Sequence, residues 1–183
     1  MKDQALEVRD KDGDTAFLTA CTEGSAAFIG LLAEAGCDKD AVSDDGGTAL
    51  MEAALSGEAA AVRAVLDLSV ENREARDKDG DTAFLTACGE GSVECINVLA
   101  EAVCDKAAVS EDGATALMHA ILSGGAAAVW AVLELDVADR EVRDEDCLTV
   151  FLYACNIGSV ECMECIGLLV EAGVTRTLCH PAV

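Results

Sequence analysis

The chain has 183 residues, 52% of them hydrophobic and only 3% aromatic, with one proline and a formal net charge of −23 from 12 Lys plus Arg against 35 Asp plus Glu. This apolar content supports a sizeable core and excludes wholesale disorder. The acidity excludes nucleic acid and anionic membranes as partners, since both require clustered cations, and leaves basic proteins or metal cations.

From the N-terminus, Met1-Lys2-Asp3-Gln4-Ala5 has no apolar stretch behind it, so no signal peptide is expected. Apolar runs such as Ala126 to Leu133 fall far below the roughly 18 residues of a membrane span. A cytoplasmic, monomeric chain is the resulting expectation. The ten cysteines are diluted in a chain able to fold without staples, and are expected to be mostly reduced core residues.

Residues 1–9 read as the tail of a partial repeat, because Leu6-Glu7-Val8-Arg9 resembles Glu74-Ala75-Arg76 and Glu141-Val142-Arg143. The chain thus reads as a piece of a longer array or a minimal one, without a polar cap at either end. The run DKDGDTAFLTAC at Asp10 to Cys21 recurs unchanged at Asp77 to Cys88, 67 residues later. GTALMEAALS from Gly47 answers ATALMHAILS from Ala114 at the same offset. Aligned on Thr15, Thr48, Thr82, Thr115 and Thr149, the chain divides into five units in two alternating types, about 10–42, 43–76, 77–109, 110–143 and 144–176, with a tail at 177–183. Such a period means a stacked array.

Each unit has one local logic. Asp and Gly before the threonine form a turn, and the threonine N-caps a short helix. Its core face is Phe17, Ala20 and Cys21; then Leu50, Ala53 and Ala54; Phe84, Ala87 and Cys88; Leu117, Ala120 and Ile121; and Phe151, Ala154 and Cys155. Gly24, Gly57, Gly91, Gly124 and Gly158 end that helix as left-handed caps. A second helix follows, with expected apolar faces Phe28, Ile29, Leu31 and Leu32; Ala61, Val62, Val65 and Leu66; Cys95, Ile96, Val98 and Leu99; and Val129, Trp130, Val132 and Leu133. Trp130 is placed in the slot of Ile29, Arg63 and Ile96, and is expected to pack partly buried between second helices.

The recurring G-x-T-A-[FL]-[LM]-x-A-x-x-x-G, followed by a second helix, resembles the ankyrin repeat over roughly residues 10 to 176. The resemblance implies an all-α solenoid of helix–turn–helix units with projecting hairpin loops. The family's proline is replaced by Ala16, Ala49, Ala83, Ala116 and Val150, and its histidine by Leu18, Met51, Leu85, Met118 and Leu152. The hairpin glycine is Gly13, Gly46, Gly80 and Gly113, but Cys147 in the last unit. The late glycine is kept at Gly36, is Ser69, Val103 and Asp136 in the middle units, and sits three residues late at Gly173. Duplication of Val160-Glu161-Cys162 as Met163-Glu164-Cys165 predicts a longer or bulged last helix.

No catalytic chemistry emerges. Asp10-Lys11-Asp12-Gly13-Asp14 and its copy at Asp77 begin like a calcium loop, but Thr15 or Thr82 and Cys21 or Cys88 stand where such a loop needs Gly and Glu. Cys162 and Cys165, with Cys155, Cys179 and His180 nearby, have soft-ligand chemistry, yet the pair is expected on a helix in core-like positions. No metal site and no cofactor is therefore assigned. His119 occupies a position that is Thr19, Glu52, Thr86 and Tyr153 elsewhere, and reads as a surface choice.

The resemblance implies a non-catalytic scaffold that binds a partner protein through hairpin and first-helix positions on a concave face. Those positions are Lys11, Asp12, Asp14, Thr22, Glu23, Asp44, Asp45, Leu55, Ser56, Lys78, Asp79, Asp81, Glu90, Glu111, Asp112, His119, Glu145, Asp146, Tyr153 and Asn156. Asp12, Asp45, Asp79, Asp112 and Asp146 recur at equal spacing, a ladder suited to a basic segment of the partner. Two alternatives stand beside it: a regulatory or targeting module of a larger enzyme or channel, and a cation-binding acidic repeat.

Overall fold

The computed structural model describes residues 4–68, 70, 73–102, 104–135, 143–146, 148–157 and 160–173, the side chains of residues 4, 5 and 160–162 apart. A short 3-10 turn at Gln4–Glu7 is followed by α1 (Ala16–Thr22), α2 (Ala26–Glu34), α3 (Ala49–Leu55), α4 (Ala59–Asp67), α5 (Ala83–Glu90), α6 (Val93–Glu101), α7 (Ala116–Leu122), α8 (Ala126–Glu134), α9 (Val150–Ile157) and α10 (Val160–Glu171). Odd-numbered helices stack on one another in one row and even-numbered helices in a second, and each odd helix packs on the even helix after it. The architecture is an all-α solenoid. The only β pairing among the described residues is an isolated bridge at each of Val42–Thr48 and Val109–Thr115.

The helix starts follow from the threonines. Thr15, Thr48, Thr82 and Thr115 are extended, and their hydroxyls accept from the amides of Leu18, Met51, Leu85 and Met118 at 3.3–3.4 Å. In α3 and α7 the sulfurs of Met51 and Met118 also accept from the threonine amides, at 3.4 and 3.5 Å. A methionine thus closes, weakly, the capping box that a glutamate would close. Gly24, Gly57, Gly91 and Gly124 take φ of 70–75° at the helix ends; Gly158 lies outside the described residues.

The core is continuous along the stack. Phe17, Phe84, Leu18, Leu85, Leu50, Met118, Ile29, Ile96 and Val62 are all buried; burying each such side chain is worth about 1.5–3 kcal/mol. Leu18, Met51, Leu85 and Met118 provide apolar inter-repeat packing as expected, whereas Leu152 in α9 is exposed.

Four expected core residues are corrected. Phe28 and Leu31 are 62% and 61% exposed, because α2 has α4 on one side and no described helix pair on the other. Their equivalents Ala61, Cys95, Ala128, Val98 and Ala131 are buried against the preceding pair. Cys155 is exposed for the same reason at the opposite end of the stack. Trp130 is 48% exposed: Val129, fully buried, fills the slot of Ile29 and Ile96, and Trp130 shares the outward slot of the exposed Arg63 and Asn97. The expected lengthening of the last helix is present, since α10 has 12 residues against 9 in α2, α4, α6 and α8. Cys147 and the departures at Ser69, Val103 and Asp136 lie outside the described residues.

The hairpins are built by their first residue. Asp10 Oδ1 accepts from the amides of Asp12 and Asp14 at 2.9 and 3.0 Å, and Asp77 Oδ1 from those of Asp79 and Asp81 at 2.9 Å each. Ser43 Oγ and Ser110 Oγ accept from the amides of Gly47 and Ala114, both at 2.9 Å, and Asp144 Oδ1 from that of Leu148 at 2.7 Å. Successive hairpins are then joined as rungs. The amides of Asp44, Lys78, Glu111 and Glu145 donate to the carbonyls of Asp12, Asp45, Asp79 and Asp112 at 3.2, 2.9, 2.8 and 2.8 Å.

A second tie occurs in alternate repeats. Arg9 Nη1 donates to the carbonyls of Gly13 and Val42 at 2.7 and 2.6 Å, while Glu7 Oε1 accepts from the amide of Asp38 at 2.8 Å. At the end of the second repeat Arg76 Nη1 donates to the carbonyls of Gly80 and Val109 in the third, and Glu74 Oε1 accepts from the amide of Asp105 at 3.2 Å. The Glu-x-Arg sequence is therefore a clip from one repeat to the next.

Candidate functional groove

Hairpins and first helices together enclose a groove. It has two cavities of about 430 and 480 Å³, the first lying against the first three hairpins and the second against the last three. Asp81, His119 and Leu122 line both, so the two are continuous. Seven of the fifteen described residues lining the first cavity and five of the ten lining the second are Asp or Glu, and none is Lys or Arg, in keeping with the chain's charge.

Twelve of the expected residues line it. Asp12, Asp14, Asp45, Leu55 and Glu90 border the first cavity, and Asp79, Glu111, Asp112, Glu145 and Tyr153 the second, with Asp81 and His119 at the junction. The rest stand elsewhere. Lys11, Asp44, Lys78 and Asp146 are exposed at the hairpin tips. Glu23 lies near Phe28 and Leu32 at the outer face of α1 and α2, and Asn156 is exposed at the end of α9.

Two expected contact residues are engaged within the protein. Thr22 Oγ1 donates to Glu52 Oε2 at 2.9 Å, tying α1 to α3. Ser56 Oγ donates to the carbonyl of Ala53 at 2.7 Å and accepts from the amide of Glu58 at 3.1 Å, which shapes the turn into α4.

The ladder carboxylates are not equivalent. Asp12 pairs with Lys11 at 3.1 Å in its own hairpin, and Asp45 with Lys78 of the next hairpin at 2.9 Å. Asp112 accepts from the Ser110 hydroxyl and from the amide of Ala114, which holds its carboxyl below the ordinary range. Asp79 and Asp146 stand exposed.

Below the tips the electrostatics reverse. Burial raises the carboxyl pKa of Asp14, Asp81 and Glu52, each further raised by neighbouring carboxylates; the Thr22 bond opposes the shift at Glu52 and His119 opposes it at Asp81. The oxygens Asp14 Oδ1 and Asp81 Oδ1 are shielded from solvent without a hydrogen-bond partner. Tyr153 is pushed up to about 12 by burial and by its hydrogen bond to Asp144, so its hydroxyl stays protonated.

His119 is a correction. Its side chain is only 14% exposed, and Nε2 lies 3.4 Å from Asp81 Oδ1. It is covered by the hairpin of the preceding repeat and is not a free surface residue. Leu122, Glu52, Thr86 and Ser110 also line the groove and were missed. Leu122 was signalled by its offset of 67 from Leu55; the others needed the structure.

The calcium-like loops spend their first carboxylate on their own backbone, since Asp10 and Asp77 each hold two amides. Among the described residues, no group of three or more His, Cys, Asp or Glu is placed to hold a metal ion. Of the cysteine group, Cys165 is buried and Cys155 exposed, and the Cys162 side chain, Cys179 and His180 lie outside the described residues. Cys21, Cys37, Cys88, Cys95 and Cys104 are buried thiols, and burial pushes Cys21 up to about 12. Among the described residues no helix is long and apolar enough to cross a membrane.

The family model described as ankyrin repeats (3 copies) matches the chain twice, at residues 2–74 and 65–144. Among curated proteins, none matches. Ankyrin repeats are in general protein–protein interaction modules and are typically non-catalytic. With that match over most of its length and a stack of capped helix pairs joined by hairpin rungs, the chain belongs to the ankyrin repeat family.

Proposed function

We propose that the protein is a non-catalytic scaffold that holds a basic segment of a partner protein along the hairpin and first-helix groove. The observation that carries this reading is the groove itself, a continuous cleft whose walls present Asp12, Asp14, Asp45, Asp79, Asp81, Asp112 and Glu145. Rigid support strengthens it: the hairpins are bonded one to the next, so their carboxylates keep a fixed spacing. Exposed acids steer an approaching cationic segment, and partly desolvated ones act more strongly at close range. The partner is a basic protein surface in the cytoplasm, bound by one copy of the chain.

The test is binding of fluorescent arginine- and lysine-rich peptides to the full chain, with Asp12, Asp79 and Asp146 changed together to Asn. The expected result is an affinity that falls as salt rises and that drops by about tenfold in the triple variant, near 1.4 kcal/mol. Unchanged affinity in that variant, or indifference to salt, defeats the reading.

A further inference from the structure

We infer that the groove reads its partner in steps of two repeats, and that the segment it holds carries basic and apolar side chains, each recurring about every six residues of extended chain. This rests on the proposal that a basic segment occupies the groove.

Two pairs of groove residues recur only at alternate repeats. The deep carboxylates Asp14 and Asp81 belong to the first and third units; Gly47 and Ala114 take their place in the second and fourth. Leu55 and Leu122, 44% and 52% exposed, belong to the second and fourth units; Thr22 and Gly89 take their place in the first and third. All four line the groove. Neither pair is at rest as it stands. Asp14 Oδ1 and Asp81 Oδ1 are shielded from water and make no hydrogen bond, His119 Nε2 approaching the latter only to 3.4 Å, and an unsatisfied buried acceptor is costly. The two leucines leave apolar surface in water inside the cleft. A guanidinium or ammonium group supplies the donors, and an apolar side chain covers the leucines.

The spacing follows from packing. Neighbouring helices lie about 8–10 Å apart, so equivalent residues two repeats apart are separated by about 16–20 Å. An extended chain advances about 3.3 Å per residue and covers that distance in about five or six residues. A helical ligand, rising about 1.5 Å per residue, would need about eleven to thirteen residues for the same span, so a six-residue preference marks an extended segment.

The test compares synthetic peptides of identical composition in Arg, Leu, Ser and Gly. Their Arg–Arg and Leu–Leu separations are set to about three, six or nine residues, against the extended-chain rise. Fluorescence anisotropy is read on the full chain and on two double variants, Asp14→Asn with Asp81→Asn, and Leu55→Ser with Leu122→Ser. Circular dichroism melting verifies that each variant folds. The expected result is about tenfold tighter binding at the six-residue spacing, with the preference lost in both variants. Equal, salt-sensitive affinities for all three spacings overturn the two-repeat register while leaving the basic-segment reading intact. Binding of none of the peptides overturns both.

Discussion

His119 Nε2 lies 3.4 Å from Asp81 Oδ1, a contact made across the boundary between the third and fourth repeats. It places the chain's one described histidine where the two cavities of the groove meet. Burial drives the Asp81 carboxyl pKa up, and His119 is the group that draws it back. Changing His119→Gln is therefore expected to move the apparent pKa of Asp81 further upward. Carboxyl carbon titration by NMR reads this directly; a downward movement would show that His119 does not act on Asp81 as a cation.

Glu52 lies between α1 and the second hairpin, with a carboxyl pKa raised mainly by burial. Folded Glu52 takes up its proton at higher pH than the unfolded chain does, so folding gains stability as pH falls through the window above 4.5. Glu52→Gln keeps an acceptor for Thr22 and removes the charge. The variant is expected to melt about 2 °C higher at neutral pH, with the gap closing as pH drops through that window. Thermal melts across pH measure both.

Gly80 and Gly36 both have positive φ, 77° and 85°, but differ in what surrounds them. A Cβ on Gly80 meets the amide nitrogen of Glu111 at 2.5 Å, in the rung that joins the third and fourth hairpins; one on Gly36 meets nothing within 4 Å. Gly36→Ala is expected to cost about 1 kcal/mol from left-handed strain alone. Gly80→Ala is expected to cost about 2–4 kcal/mol, because backbone must also move. Urea denaturation of the two variants separates the contributions.

Arg76, the last residue of the second repeat, reaches the carbonyls of Gly80 and Val109, at the start and end of the third. Arg76→Ala is expected to cost about 1 kcal/mol, the net worth of such bonds at an exposed site. Amide exchange is expected to rise around Ser110 to Ala114 and not at the first hairpin, since Arg9 serves that one. Uniform loss of protection along the chain would contradict a local tie.

Phe84 is 1% exposed and Phe28 62%. Phe84→Ala is expected to cost about 3–5 kcal/mol. Phe28→Ala is expected to change stability by less than about 0.5 kcal/mol, as surface substitutions do. Comparable losses would mean that the outer face of α2 is covered in solution.

What could be read from the residues depended on how local the cause was. The threonine caps, the helix-ending glycines and the Phe17, Leu50, Phe84 and Leu117 core positions each arise within one repeat, and periodicity exposes them. The longer α10 was legible because a three-residue duplication adds most of a helical turn. Phe28 and Cys155 were misread because burial there depends on whether another helix pair lies alongside, which their own hydrophobicity cannot report. His119 was misread because its cover, Asp81, comes from another repeat's hairpin. Asp10 and Asp77 looked like ion ligands, yet their carboxylates hold backbone amides. The same geometry that invites a calcium-loop reading also closes a turn.

The Glu-x-Arg clips have a consequence for how such an array can change length. Arg9 and Arg76 close the partial and second repeats, and at the matching place closing the first stands Val42, which offers only its carbonyl. Excising one repeat of 33 residues would set two arginines on neighbouring rungs, each seeking a carbonyl beside a like charge. Excising 67 residues would restore the alternation intact. The pair of repeats is thus the smallest piece that can be gained or lost without a mismatched seam, and exchange by recombination between the identical Asp10 and Asp77 segments would remove just that piece.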